Sequence, residues 1–128
     1  MRYAIVPALL LAPLVTSPAA AQAPATVNVQ LANFKFTPNT IVLDHGRPYV
    51  LRLANRSSGG HDFTAPDFFA ASAIAASDRS LIREGAVEVP GGQTREIHLT
   101  APGPGRYKLK CTHTMHKMMG MSGTILVR

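Results

Sequence analysis

Cys111-Thr112-His113-Thr114-Met115-His116-Lys117-Met118-Met119-Gly120-Met121 holds the chain's only thiol, two of its five histidines and four of its five methionines. Thiolate, imidazole and thioether are soft donors that suit copper in both of its oxidation states. Two imidazoles and one thiolate in a trigonal set, with a thioether on a long axial bond, are one way such donors hold the metal. This segment offers a thiol, imidazoles and thioethers, and a further imidazole has to arrive from elsewhere. His61 follows Gly59-Gly60 and opens a strand, so pairing within a sheet brings it alongside Cys111. A structural zinc would accept Cys and His but would make little use of a thioether. Each residue also has an ordinary role to weigh: an inert buried thiol, a turn histidine, a methionine packed in a core.

The elements that must position these side chains read as short strands separated by turn signals, the pattern of an all-β sandwich or barrel. Val27, Val29 and Leu31 alternate with polar residues, and Phe34 and Phe36 shift the parity, which predicts a bulge near Ala32-Asn33. Ile41–Leu43 makes a short strand closed by Asp44-His45-Gly46, and Tyr49, Leu51 and Leu53 form the inward face of the next. Asn55 to Gly60 is a polar, flexible loop leading to His61-Asp62-Phe63. Asp67 as a cap, followed by the Ala-rich run from Phe68 to Ala76, predicts a single short helix ending near Ser77 to Ser80. Strands resume at Ala86–Val89 and Thr94–Leu99, with a turn at Pro90-Gly91-Gly92 between them. From Arg106 to Cys111 the alternation is cleanest: Tyr107, Leu109 and Cys111 point inward, and Arg106, Lys108 and Lys110 outward. Ser122–Val127 is a final strand, which makes residues 112–121 a connecting loop. His45 in its turn and His98 on a solvent-facing strand position are not read as ligands.

These features resemble the cupredoxins, small blue-copper proteins such as plastocyanin, pseudoazurin and azurin. The resemblance runs from Phe36-Thr37-Pro38 and Ile41–Gly46 through Asn55 and His61 to Gly105–Val127. Four residues separate Cys111 from His116, four more separate His116 from Met121, and Gly123-Thr124-Ile125 follows. The resemblance implies a cupredoxin-like Greek-key β-sandwich with one short helix after the upstream histidine. It also implies a single type 1 copper ion bound by His61, Cys111, His116 and Met121. Plastocyanin-like loops have a shorter Cys-to-His gap and azurin-like loops a shorter His-to-Met gap; this loop is long in both, so Met118 and Met119 compete as axial donors and His113 as an imidazole. Asp62 stands where many cupredoxins have Asn bridging to the residue after the Cys, here Thr112. Its charge would favour the oxidised metal.

At 128 residues, 46% hydrophobic and 16% charged, the chain has the size and composition of one folded domain. That size excludes an enzyme with separate cofactor and substrate domains, and the lone Cys excludes an internal disulfide framework. Met1-Arg2-Tyr3, an apolar run broken by Pro7 and Pro13, and Ala19-Ala20-Ala21 read as a secretory signal peptide at residues 1–21, cut after Ala21. That apolar run is too short to span a bilayer. Residues 22–128 then form the domain, placed in the periplasm or outside the cell. The chain's net charge of +6 is spread without clustered aromatics, so it argues for an acidic partner or membrane surface and not for nucleic acid.

The resemblance thus implies a monomeric, non-enzymatic carrier of single electrons that meets its redox partner transiently, without stable membrane insertion. A second reading is a periplasmic copper chaperone or buffer that takes up Cu(I) through the methionines. A third makes Cys111 a nucleophile activated by His113 or His116, but the sequence offers no oxyanion or substrate site to go with it.

Overall fold

Alternation of apolar and polar side chains governs most of the chain, and the computed structural model folds it into two packed sheets. The structure describes residues 12–18, 22–113, 115 and 118–128. Most of the expected signal peptide, with its cleavage site, lies outside these residues, as do Thr114, His116 and Lys117. The strands are β1 (Ala25–Ala32), β2 (Lys35–Thr37), β3 (Thr40–Leu43), β4 (Pro48–Asn55), β5 (His61–Thr64), β6 (Ala73–Ile74), β7 (Ile82–Arg83), β8 (Ala86–Val89), β9 (Thr94–Thr100), β10 (Gly105–Lys110) and β11 (Ser122–Val127). A helix, α1 (Pro66–Ala71), and a 3-10 segment at Ala76–Leu81 lie between β5 and β7.

One sheet has the order β2-β1-β4-β9-β6 and the other β3-β11-β10-β5-β8-β7. The β1–β4 and β3–β11 pairs are parallel and the rest antiparallel. The fold is the all-β sandwich expected, with one short α-helix after His61. Alternate residues of both sheets (Leu31, Leu51, Leu53, Phe63, Val87, Ile97, Leu109 and Ile125 among them) fill the space between. Phe63 sits edge-on to Phe36 with ring centroids 5.8 Å apart, and its ring lies 5.9 Å from that of Phe69 on α1. These contacts anchor β5 two residues past His61.

Two local expectations are corrected. The parity shift after Leu31 is a hairpin and not a bulge: Ala32 pairs with Lys35, and Asn33 and Phe34 form the two-residue turn, with φ of 51° and 58°. Two successive positive φ values match the twist of a tight hairpin, and they carry Phe34 outward, leaving only Phe36 in the core. The Ala-rich run is likewise not one helix. Pro66 and not Asp67 opens α1, which ends at Ser72, whose N–H and hydroxyl both bond the carbonyl of Phe68 at 3.0 and 2.7 Å. Ala73 and Ile74 then pair with Thr100 and Leu99 of β9. Helix propensity is a weak preference, and the open edge of β9 outweighs it here.

The 3-10 segment is tied to β9 by Asp78. Its Oδ2 accepts the His98 backbone N–H at 2.7 Å and lies 2.8 Å from His98 Nδ1. Burial opposes charge on this carboxyl, but the contacts with His98 outweigh it and hold the pKa below the ordinary value. A depressed carboxyl pKa contributes stability above the unfolded value of about 3.9, and that contribution is lost as pH falls through the folded pKa. Urea midpoints measured from pH 6 downward are therefore expected to fall less steeply in acid for Asp78→Asn than for the parent. Parallel curves would remove Asp78 from the acid response.

Candidate metal centre

Cys111 is the first residue beyond β10. The inward face of that strand carries Leu109 and then the thiol, which is fully buried. His61 opens β5, the neighbouring strand, and is buried at 3% exposure. Its Nδ1 lies 4.0 Å from Cys111 Sγ. Metal bonds of about 2.0 Å to nitrogen and 2.3 Å to sulfur, opened to roughly 120°, put their donor atoms about 3.8 Å apart. The pair therefore fits a shared ion. Met121 is buried beside them at 1% exposure, and its carbonyl accepts the Cys111 N–H at 3.0 Å, closing the loop on itself. Met115, Met118 and Met119 are 67%, 79% and 62% exposed, so burial separates Met121 from its competitors. The Met119 N–H bonds the Met115 carbonyl at 3.1 Å. His116, the expected second imidazole, falls outside the described residues.

The thiol's surroundings set its proton affinity. Burial pushes the Cys111 pKa up, the nearby charges of Asp62 and Glu88 add to this, and backbone hydrogen bonds from Asp62 and His113 oppose it. The Asp62 N–H points at Sγ from 3.5 Å. Without a metal the sulfur keeps its proton at neutral pH. A bound cation would displace that proton and find the backbone donors already aimed at the thiolate.

Asp62 joins the two segments that carry His61 and Cys111. Its Oδ1 accepts the Thr112 N–H at 2.8 Å and the Thr64 hydroxyl at 2.8 Å, while Oδ2 accepts the Thr112 hydroxyl. The carboxylate thus makes the bridge to residue 112 that the sequence suggested. All four residues of β5 are buried, with Phe63 in the core and Asp62 bonded to Thr64 and Thr112. On the approach to β5, the Asn55 side chain donates to the carbonyls of Gly59 and Val89 at 2.8 and 2.9 Å and accepts the Ser57 N–H at 2.9 Å. A Cβ on Gly91 would fall 2.1 Å from the Ser58 carbonyl oxygen, so the strand turn packs directly on this loop. The loop is polar, as expected, but firmly held.

Glu88 was not among the residues whose type and spacing pointed to chemistry. It lies opposite Asp62 in the β5–β8 register, and both of its carboxylate oxygens are 3.0 Å from His113 Nε2. Its signal was the outward position in Ala86-Val87-Glu88-Val89, which acquires meaning only once the register is known. His98, read as solvent-facing, is so.

No curated protein matches the chain at a significant level. Among solved structures, auracyanin B superposes with a TM-score of 0.62 at 22% identity, covering 85% of this chain and 93% of that one. A dithionite-reduced auracyanin from Roseiflexus castenholzii gives 0.61 at 18% identity over 84% and 99%. Auracyanin A, a "blue" copper protein from Chloroflexus aurantiacus, gives 0.59 at 19% identity over 83% and 100%. These likenesses establish a shared fold over almost the whole length of each. The family model for the cupredoxin-like domain matches residues 5–127, so the chain belongs to the cupredoxin-like family.

Proposed function

We propose that the chain is an exported, monomeric carrier of single electrons, with one type 1 copper ion held by His61, Cys111, His116 and Met121. The observation that carries this reading is the 4.0 Å separation of the His61 imidazole and the Cys111 thiol, brought together from residues 50 positions apart and buried beside Met121. Copper, when bound, supplies the one-electron change of oxidation state. The protein supplies a sulfur held by backbone donors, a thioether, and a wall of side chains that keeps water from the donors. Thioether is a donor suited to copper and of little use to zinc.

The exposed methionines next to this centre make an adaptable apolar surface, suited to a brief encounter with a redox partner. Similarity to auracyanin A, a blue copper protein, supports the same reading. Export to the periplasm or beyond fits the leader-like residues 1–21, and among the described residues no helix is long and apolar enough to cross a membrane. A nucleophilic role for Cys111 is disfavoured by its burial and raised pKa, since reactive thiols are exposed and easily ionised.

Absorption and EPR spectra of copper-loaded protein test the proposal. An intense blue Cu(II)–thiolate band is expected. A colourless protein that retains only Cu(I) would instead establish the chaperone or buffer reading, which the three exposed thioethers favour. Met121→Leu is expected to raise the reduction potential, because losing a donor disfavours Cu(II). A tenfold change in that preference corresponds to about 59 mV for one electron, and voltammetry should read a rise of that order. An unmoved or lowered potential would transfer the axial role to Met118 or Met119.

A further inference from the structure

We propose that Asp62, Glu88 and His113 form a second metal site, for a divalent cation of the zinc type. Their donor atoms all lie within 4.8 Å of one another. His113 Nε2 is 3.0 Å from both oxygens of Glu88 and 3.9 Å from Asp62 Oδ2. Donors bound to one zinc ion at about 2.0–2.2 Å stand roughly 3.3 Å apart, so small side-chain rotations complete the set. The Glu88 and His113 side chains are 54% and 36% exposed, so the site is open to an ion from solvent.

An independent observation is the placement of the two carboxylates. Asp62 and Glu88 are direct partners across the antiparallel β5–β8 ladder, where like charges destabilise. Asp62 is only 5% exposed, so water screens the pair poorly. A divalent ion held between the two carboxylates would offset that repulsion. The bonds from Thr112 and Thr64 fix the Asp62 carboxylate much as outer hydrogen bonds orient a ligating group. Gly60 completes the pocket: a Cβ there would sit 2.9 Å from Glu88 Oε1 and 3.3 Å from His113 Cε1. Three protein donors leave a fourth position for water.

The site uses none of the four residues proposed for copper, so its failure and the failure of the copper reading are separable. Copper-loaded protein is titrated with Zn2+ by calorimetry, with metal content checked afterwards. A chain that takes up no copper is titrated as isolated. One additional zinc per chain is expected, with copper and blue colour retained. Glu88→Gln and His113→Gln should each weaken zinc binding at least ~10-fold, with copper content measured in the same samples. Absence of zinc binding at millimolar concentration, parental zinc affinity in either variant, or zinc uptake matched by loss of copper would each overturn the assignment.

Discussion

Cys111→Ser is expected to abolish the blue band of the copper-loaded protein while leaving the fold in place. The colour of such a centre belongs to the bond between Cu(II) and thiolate sulfur, and a serine oxygen cannot replace it. Serine is close in size to cysteine, so the pocket beside Leu109 and Met121 should not collapse. Its hydroxyl would be buried at a fully enclosed position, at a cost of about 1–3 kcal/mol if it finds no partner. Circular dichroism and a cooperative thermal transition would show that the variant is folded. Absorption at matched copper content would then show a loss of essentially all the band. A folded variant of undiminished colour would remove Cys111 from the proposed ligand set.

Asp62→Ala is expected to be the most destabilising of the polar substitutions near the centre. It strips the acceptor from the Thr112 N–H, the Thr112 hydroxyl and the Thr64 hydroxyl at once. A buried donor left without a partner costs about 1–3 kcal/mol; Thr64 is buried but Thr112 is exposed and can turn to water, so a total of about 2 kcal/mol follows. For a domain of this size that is a fall in Tm of roughly 10 °C. Asp62→Asn keeps an oxygen for the Thr112 N–H and should lose less than half as much. It also removes a negative charge that bears on Cys111, so the copper potential should rise in the Asn variant. An alanine variant as stable as the parent would show that the bridge between β5 and residue 112 is dispensable.

Much of this arrangement was legible in the sequence because it depends on period-two alternation. Tyr107, Leu109 and Cys111 fall on one face of β10 by counting alone, and the outward Arg106, Lys108 and Lys110 are exposed as expected. The burial of Met121 and the approach of His61 to Cys111 likewise agree with the order of donors along the chain. What counting could not supply was register. Glu88 meets Asp62 and His113 only because β5 and β8 pair with those residues opposite, a fact fixed by turns and by the packing of Phe63 and Val87. The Ala-rich run after Phe69 misled for a related reason: its local preference is helical, while its partner, the edge of β9, lies more than 20 residues away. At Asn33-Phe34, a bulge and a two-residue hairpin shift parity alike, and only the chain's reversal onto Gln30–Ala32 distinguishes them.

The sheet that carries the centre contains a seam. β10 and β11 pair along six successive residues, and β5 and β8 along four, yet β5 and β10 meet through a single register pair, Thr64 with Lys110. His61 and Cys111 stand on opposite lips of that join, just past the point where the ladder stops. An ion gripping both would work as a rivet, fastening one half of the sheet to the other. Asp62, bonded to Thr112 across the same join, is the protein's own stitch beside it.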